Sequence, residues 1–354
     1  MKKNVFFYIA YILNLLYIIL YRSMIINLPI EVNRFLVLFT YVSFIIKLLL
    51  DKYSYKRLLI YILLSLFFLY FYISTGTQYV FVAYLAIICI KDINIKRLLK
   101  IDIFIRSFLL LSHFFLFGID YLFAFSNIEN LISSSVKGTQ YYLYFSNANI
   151  ASEMFFSIVI YILYLKNNVK IKDYIISFCI MTLIFYLTRS RTSYIVFIIY
   201  ILLNIIKNKK LLFYIARYSS ILMSIISLYI VKFVTTNSVL YNLYNSLLSN
   251  RLLYSILAFK NNGLRIIPYS NQVLKKFIID NFYVRCFVCY GLIVLLLYIF
   301  LNFLAINRNK PKENRLTISM NIYLFFEQVI TNIGYNPFLL ILANNVINRG
   351  DKNE

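Results

Sequence analysis

A succession of apolar runs, each about the length of a membrane span, separated by short clusters of Lys and Arg, constrains this chain more than any other feature. A helix needs roughly 20 mostly apolar residues to cross the hydrocarbon core of a bilayer. Helices are therefore expected at about 4–21, 33–50, 57–74, 78–91, 101–121, 147–165, 173–188, 191–207, 212–234, 282–305, 316–332 and 335–348. The fourth and the last are short for a span. Composition agrees: 62% of residues are apolar and only 14% charged, too few polar groups to cover a water-facing surface. The expected fold class is all-α, a polytopic integral membrane protein of about 12 transmembrane helices. Residues 1–354 would then form a single membrane domain, because a helical bundle in a bilayer is one continuous unit. Lys2 and Lys3 precede the apolar run from Val5 to Tyr21, and no small-residue cleavage site follows. The run therefore reads as a retained first helix rather than a removed signal peptide.

Orientation follows from the Lys and Arg in alternate loops. One set holds Lys2 and Lys3, then Lys47, Lys52, Lys56 and Arg57, then Lys91, Lys96, Arg97 and Lys100. It continues through Lys166, Lys170 and Lys172, then Lys207, Lys209, Lys210 and Arg217, then Arg308, Lys310, Lys312 and Arg315, and Arg349 with Lys352. The other set is sparse in its short loops. The basic set is expected to be cytoplasmic, with both chain ends on that side. Two outer loops stand out, at 120–147 and 235–281. The longer one carries Arg251, Lys260, Arg265, Lys275 and Lys276, on the side where positive charge should be rare. It also holds amphipathic stretches such as Leu240–Phe259 that read as short interfacial helices. An anionic substrate on the outer face would give that charge a purpose.

A nucleic-acid partner is the rival for a chain of net charge +23. It is excluded because no basic cluster lies on a face that could fold in water. Cys89, Cys179, Cys286 and Cys289 all fall in apolar runs. The spacing of Cys286 and Cys289 matches a metal pair, but no second pair or His completes a site. They read as packing residues.

The candidate chemistry gathers at the outer ends of helices. Arg189 and Arg191 lie in the run from Tyr186 to Tyr194. An Arg costs about 2.5–3.5 kcal/mol at the bilayer centre, so a pair there reads as facing a cavity that binds an anion. The Arg fork matches phosphate oxygens two at a time. The blander alternative is snorkelling to lipid headgroups. Arg251 and Arg265 are further anion-binding candidates, against a reading as solvated charges. Asp280 precedes Asn281 and Tyr283 at the mouth of the tenth helix, where it could accept a proton from a hydroxyl, cap the helix, or do both. Asn147 and Asn149 open the sixth helix and suit a sugar or a cap. Glu327 is expected inside the eleventh helix, where a buried carboxylate is functional or ion-paired, an Arg of the site being its partner. His113, mid-helix in the fifth span, reads as packing within the bundle.

In order along the chain, these features resemble the O-antigen polymerase and ligase superfamily of bacterial surface-polysaccharide enzymes. The resemblance rests on the Asn147 and Asn149 opening, the Thr188–Ser193 run, and Asn250 with Arg251 in a long outer loop. It also rests on Asp280, Asn281 and Tyr283 before Gly291, and on Glu327 with Asn336 and Pro337. Ligases usually carry His before the Asn of the closing motif; Asp280 there favours a polymerase of capsule, exopolysaccharide or O-antigen repeat units. The resemblance implies a metal-independent glycosyltransferase without cofactors, in the bacterial inner membrane. Its substrate would be a polyprenyl-pyrophosphate-linked oligosaccharide, with Arg191, Arg251 and Arg265 on the pyrophosphate and Asp280 aiding attack by a sugar hydroxyl. Membrane lipids, a chain-length regulator and a flippase are the implied partners. The main rival is a lipid-linked oligosaccharide flippase, which should carry basic residues in several mid-membrane spans and have short outer loops. A generic transporter is disfavoured because neither an inverted repeat nor a broken-helix pair is visible in the sequence.

Overall fold

A computed structural model describes residues 3–25, 28–123, 132–135, 138–234, 238, 241, 251–269, 277, 279–327 and 332–350. The helices are α1 (Lys3–Arg22), α2 (Ile30–Leu50), α3 (Tyr55–Thr75), α4 (Gln78–Ile88) and α5 (Ile95–Phe123). A small antiparallel hairpin follows, β1 (Ile132–Ser135) and β2 (Gly138–Tyr141), with Ile132 opposite Tyr141. Then come α6 (Ala148–Leu165), α7 (Ile171–Thr188), α8 (Arg191–Ile205), α9 (Lys209–Phe233) and α10 (Arg251–Asn262). The chain continues through α11 (Phe282–Arg285), a π-helical turn (Cys286–Tyr290), α12 (Leu292–Ala305), α13 (Pro311–Phe326) and α14 (Phe338–Gly350). Every expected span contains helix, but among the described residues 7 helices are long and apolar enough to cross a membrane by length and composition. Leu49, Ile73 and Phe104 are each more than 70% exposed, as befits side chains facing acyl chains. The molecule is an all-α membrane protein of several spans.

The contacts divide the chain into two compact units. The first holds residues 1–50, 92–202 and 334–337. Its α1 buries Phe7, Tyr11, Asn14, Leu15 and Ile18, the stripe that spacing by three and four residues predicts. Phe7 meets Phe44 of α2 edge-on at 5.6 Å. The chain leaving α1 is stitched to the segment before α6, with Met24 N donating to Tyr144 O at 2.8 Å and Ser146 N to Arg22 O at 2.9 Å. His113 is consumed here, as expected of a packing residue. Its ring stacks on Phe145 at 4.5 Å and one nitrogen lies 2.8 Å from Ser23 Oγ.

At the centre of this unit lies a charged group that the sequence reading passed over. Arg106 and Asp102, one turn apart on α5, form a two-pronged ion pair at 2.7 and 2.9 Å with no exposed side-chain surface. Tyr11 donates to the same carboxylate at 2.6 Å, and Arg106 also donates to Gly334 O at 2.7 Å. The pair thus satisfies a carbonyl of the irregular 334–337 loop, which is how such backbone survives inside a membrane protein.

The second unit holds residues 51–91, 203–333 and 338–354. Gly76, at φ 65°, ends α3 and turns the chain into α4. Along α9, Ser220, Ser224 and Ser227 form a face of small residues that lets α13 pack closely. Asn302 of α12 donates to Ser220 Oγ at 3.1 Å, and Asn321 of α13 donates to Ser219 Oγ at 2.6 Å. Asn321 also accepts from the hydroxyls of Tyr283 and Tyr298, so this polar group joins four elements without exposing a donor.

The expected continuous helix over 282–305 is corrected: it is broken. After α11 the backbone widens into the π turn and then passes Gly291 at φ 85° and ψ 152°, a conformation essentially confined to glycine. The extended segment 263–269 lies against the break. Arg265 N and Tyr269 N donate to the carbonyls of Phe287 and Cys289 at 2.8 and 2.9 Å. In return, Leu292 N and Ile293 N donate to the carbonyls of Arg265 and Ile266 at 2.9 and 3.2 Å. Helical bonds lost at the break are replaced by bonds to a neighbouring strand of backbone. Cys286 and Cys289 are buried packing residues of that turn.

Candidate functional site

Three residues singled out from separate stretches of sequence meet in the second unit. Arg251 is the first residue of α10, and its Nε lies 2.8 Å from Asp280 Oδ2. Its Nη1 lies 2.5 Å from Glu327 Oε1. The side chains of Arg251, Asp280 and Glu327 are 24%, 16% and 8% exposed, so the group is sheltered but not sealed. Two carboxylates on one guanidinium leave the trio with a formal charge of one minus. In a partly desolvated setting, charge-assisted bonds of this length fix both carboxylates in place.

Local sequence explains why each group points inward. Glu327 lies beyond the last residue of α13, in extended conformation, with its N–H still bonded to Tyr323 O. The expectation that it sits inside the helix is thereby corrected; leaving the helical path turns its carboxylate to Arg251. Asp280 was a candidate helix cap, but Asn281 is the cap, accepting from Val284 N at 3.0 Å. Asn281 also donates to Ser227 Oγ of α9 at 3.1 Å. With the capping role filled by its neighbour, Asp280 is free to face Arg251. A cavity of about 20 Å³ beside the trio is bordered by Ser227, Ser255, Asn281 and Phe325. It has room for a water and no more.

Other candidates do not join this group. Arg265 stacks on the Tyr269 ring at 4.2 Å, and its Nε has no hydrogen-bond partner among the described residues. Tyr283 is fully buried and donates to Asn321 O at 3.2 Å, so it braces the core and offers nothing to a ligand. Lys275, Lys276, Asn250 and the first half of the expected Leu240–Phe259 stretch, apart from Tyr241, lie outside the described residues; its last part is in α10.

The remaining candidates belong to the first unit. Asn147 caps α6, accepting from Asn149 N at 2.8 Å, so of the two readings weighed for it the capping one is present. Asn149 is half-buried in the first turn. Arg189 terminates α7 in left-handed conformation at φ 53°, unusual for a residue other than glycine. Its guanidinium covers the Tyr186 ring at 4.8 Å. Arg191 is the first residue of α8 and is half-buried. Because α6 and α7 pack against each other and run in opposite directions, the Asn147 cap and Arg189 stand at the same end of that pair.

Sequence reasoning missed Asp102 and Arg106, although opposite charges four residues apart inside an apolar run are a usable signal. It also missed Asn302 and Asn321, whose signal was an amide side chain in the middle of a span.

Fold and exposed apolar faces together define a polytopic helical membrane protein. In comparisons with known proteins, no family model, no curated protein and no solved structure matches the chain.

Proposed function

We propose that the protein is a membrane glycosyltransferase that polymerises lipid-linked oligosaccharide repeat units of a capsule, exopolysaccharide or O-antigen. The observation that carries this reading is the convergence of Arg251, Asp280 and Glu327, each of which the sequence alone marks as a site residue. In the proposed reaction a hydroxyl of one repeat unit attacks the anomeric carbon of the sugar that carries the growing chain. The bond from that carbon to the pyrophosphate oxygen breaks, and polyprenyl pyrophosphate leaves with the bonding electrons. Asp280 takes the hydroxyl proton. Arg251 holds Asp280 in register, and Arg265, which stands outside the trio, offsets the charge that develops on the departing pyrophosphate. Arg189 and Arg191 enter the proposal through the sequence reading of an anion-binding pair and through the family resemblance.

The same reading has all twelve expected helices crossing the bacterial inner membrane, including short apolar ones such as Gln78–Ile88 and Leu292–Ala305. It keeps both ends in the cytoplasm, with the trio on the outer side. Reporter fusions after each helix test that arrangement.

One observation favours the flippase rival. A broken helix beside an extended segment is a device of transporters. In those proteins the freed backbone groups face a substrate, whereas here the amides of Leu292 and Ile293 are bonded to Arg265 and Ile266. The polymerase reading therefore stands first. Deleting the gene and displaying the surface glycan on a gel separates the possibilities. Collapse of a ladder to single lipid-linked units, restored by the wild-type gene but not by Asp280→Ala, supports the polymerase. Lipid-linked units trapped on the inner face indicate a flippase, and full-length polymer stranded on its carrier indicates a ligase.

A further inference from the structure

The second unit contains a trough unrelated to the charged trio. It has a volume of about 400 Å³ and runs between α3, α4, α12 and α14. Leu64, Ala83, Ile87, Leu297, Leu301 and Val346 are among its lining. Two of the three tyrosines on its walls have their hydroxyls engaged: Tyr84 donates to Tyr61 O at 2.6 Å, and Tyr298 donates to Asn321. What remains is hydrocarbon and ring faces, which suit a flexible chain rather than a sugar or a peptide. Its length is informative. The α12 wall from Val294 to Leu304 spans ten residue steps, about 15 Å at the helical rise, which is one leaflet's share of the hydrocarbon core. Ile60 and Phe300 on its lining are 53% and 61% exposed, so the trough opens sideways.

One end of the trough is basic. The Tyr53 ring packs edge-on against Tyr61 at 5.2 Å, and the Tyr53 hydroxyl donates to Ile88 O at 3.2 Å. Both partners line the trough. The Lys91 ammonium lies 5.6 Å from the centre of the Tyr53 ring and donates to Lys52 O at 3.0 Å. Lys52 and Lys56 are exposed on the same connection, Arg57 is half-buried, and Asp51 is the acid among them, bonded to the Tyr53 hydroxyl. The four cations outnumber that acid.

We propose that this trough is the binding site of one anionic glycerophospholipid. An acyl chain lies in the trough, and the phosphate rests on the Lys52, Lys56 and Lys91 end. The charge at one end and the single-leaflet depth together argue for this occupant. The inference does not depend on the glycan reading. The test exchanges the purified full-length protein into mixed micelles holding equal phosphatidylglycerol and phosphatidylcholine, and counts retained lipids by native mass spectrometry. Wild type should retain phosphatidylglycerol over phosphatidylcholine by roughly fivefold or more, about the factor that one basic residue contributes near an anionic headgroup. Ala83→Phe fills the trough and should lose the bound lipid. Lys52→Gln with Lys56→Gln should keep a lipid but with a several-fold weaker preference, Lys91 remaining. Should Ala83→Phe fail to fold, the paired Gln variant still decides, since both side chains are exposed. The proposal is overturned if wild type shows no preference, if either variant behaves as wild type, or if added polyprenyl phosphate displaces the phospholipid.

Discussion

Replacing Gly291 by Ala should cost this protein more stability than its size suggests, and the cost can be built up from the structure. A Cβ at Gly291 would stand 2.6 Å from Ile266 O and 2.7 Å from Ile267 C, both backbone atoms of the segment that seals the break. Neither can rotate away as a side chain could. The conformation at φ 85° and ψ 152° adds about 1–3 kcal/mol for any residue other than glycine. Relief of the overlap requires the 265–267 backbone to retreat, which stretches the bonds from Leu292 N and Ile293 N. Two such bonds are worth about 0.5–1.5 kcal/mol each. Together these give about 2–6 kcal/mol. The assay is reversible unfolding of the purified protein in mixed micelles, followed by circular dichroism. Gly118→Ala is the internal control, because its added methyl meets nothing within 4 Å, and a helical site should change by about 1 kcal/mol or less. If Gly291→Ala unfolded within about 1 kcal/mol of wild type, the sealed break described above would be wrong.

Further perturbations test the charged groups. Asp280→Asn keeps the shape of the trio but removes the proton acceptor; polymer formation should fall by about 10²- to 10⁴-fold, measured as ladder yield, while the melting temperature holds. Arg251→Ala leaves Asp280 and Glu327 facing each other; it should destabilise the protein in a thermal melt, and adding Glu327→Gln should recover part of the loss. Arg106→Met alone should cost about 3–5 kcal/mol because it strands a buried carboxylate, whereas Arg106→Met with Asp102→Leu should cost far less in the same melt. In native micelles a lipophilic maleimide should label Cys179, which is exposed, and reach the buried Cys89, Cys286 and Cys289 only after denaturation, counted by mass shift.

How much of this could be read in the sequence depends on which interaction fixed each feature. Helix positions were legible because apolar run length is a local quantity; the start of α6 at Ala148 and the end of α7 at Thr188 lie within a residue of expectation. The break at Cys286–Gly291 was not legible, because its stabilising partner, 263–269, sits in a loop with no apolar periodicity of its own. Gly291 was noticed only as part of a motif, although a glycine inside a span is a signal for close backbone approach. The pairing of Glu327 with an arginine of the site followed from the cost of a lone buried carboxylate, yet nothing local said that the helix stops at Phe326 to permit it. Asp102 and Arg106 were overlooked because attention fell on charges at helix ends, whereas this pair neutralises itself within one turn.

The sealed break also bears on how the chain enters a bilayer. Residues 286–293 have backbone groups that no helix of their own satisfies, and hydrocarbon offers them no substitute. Their partners at 265–269 are made first by a ribosome working from the N-terminus. An apolar rod of residues 282–305 alone would therefore carry unsatisfied backbone; the break is complete only once residues 265–269 lie against it, which makes the two segments one unit of assembly.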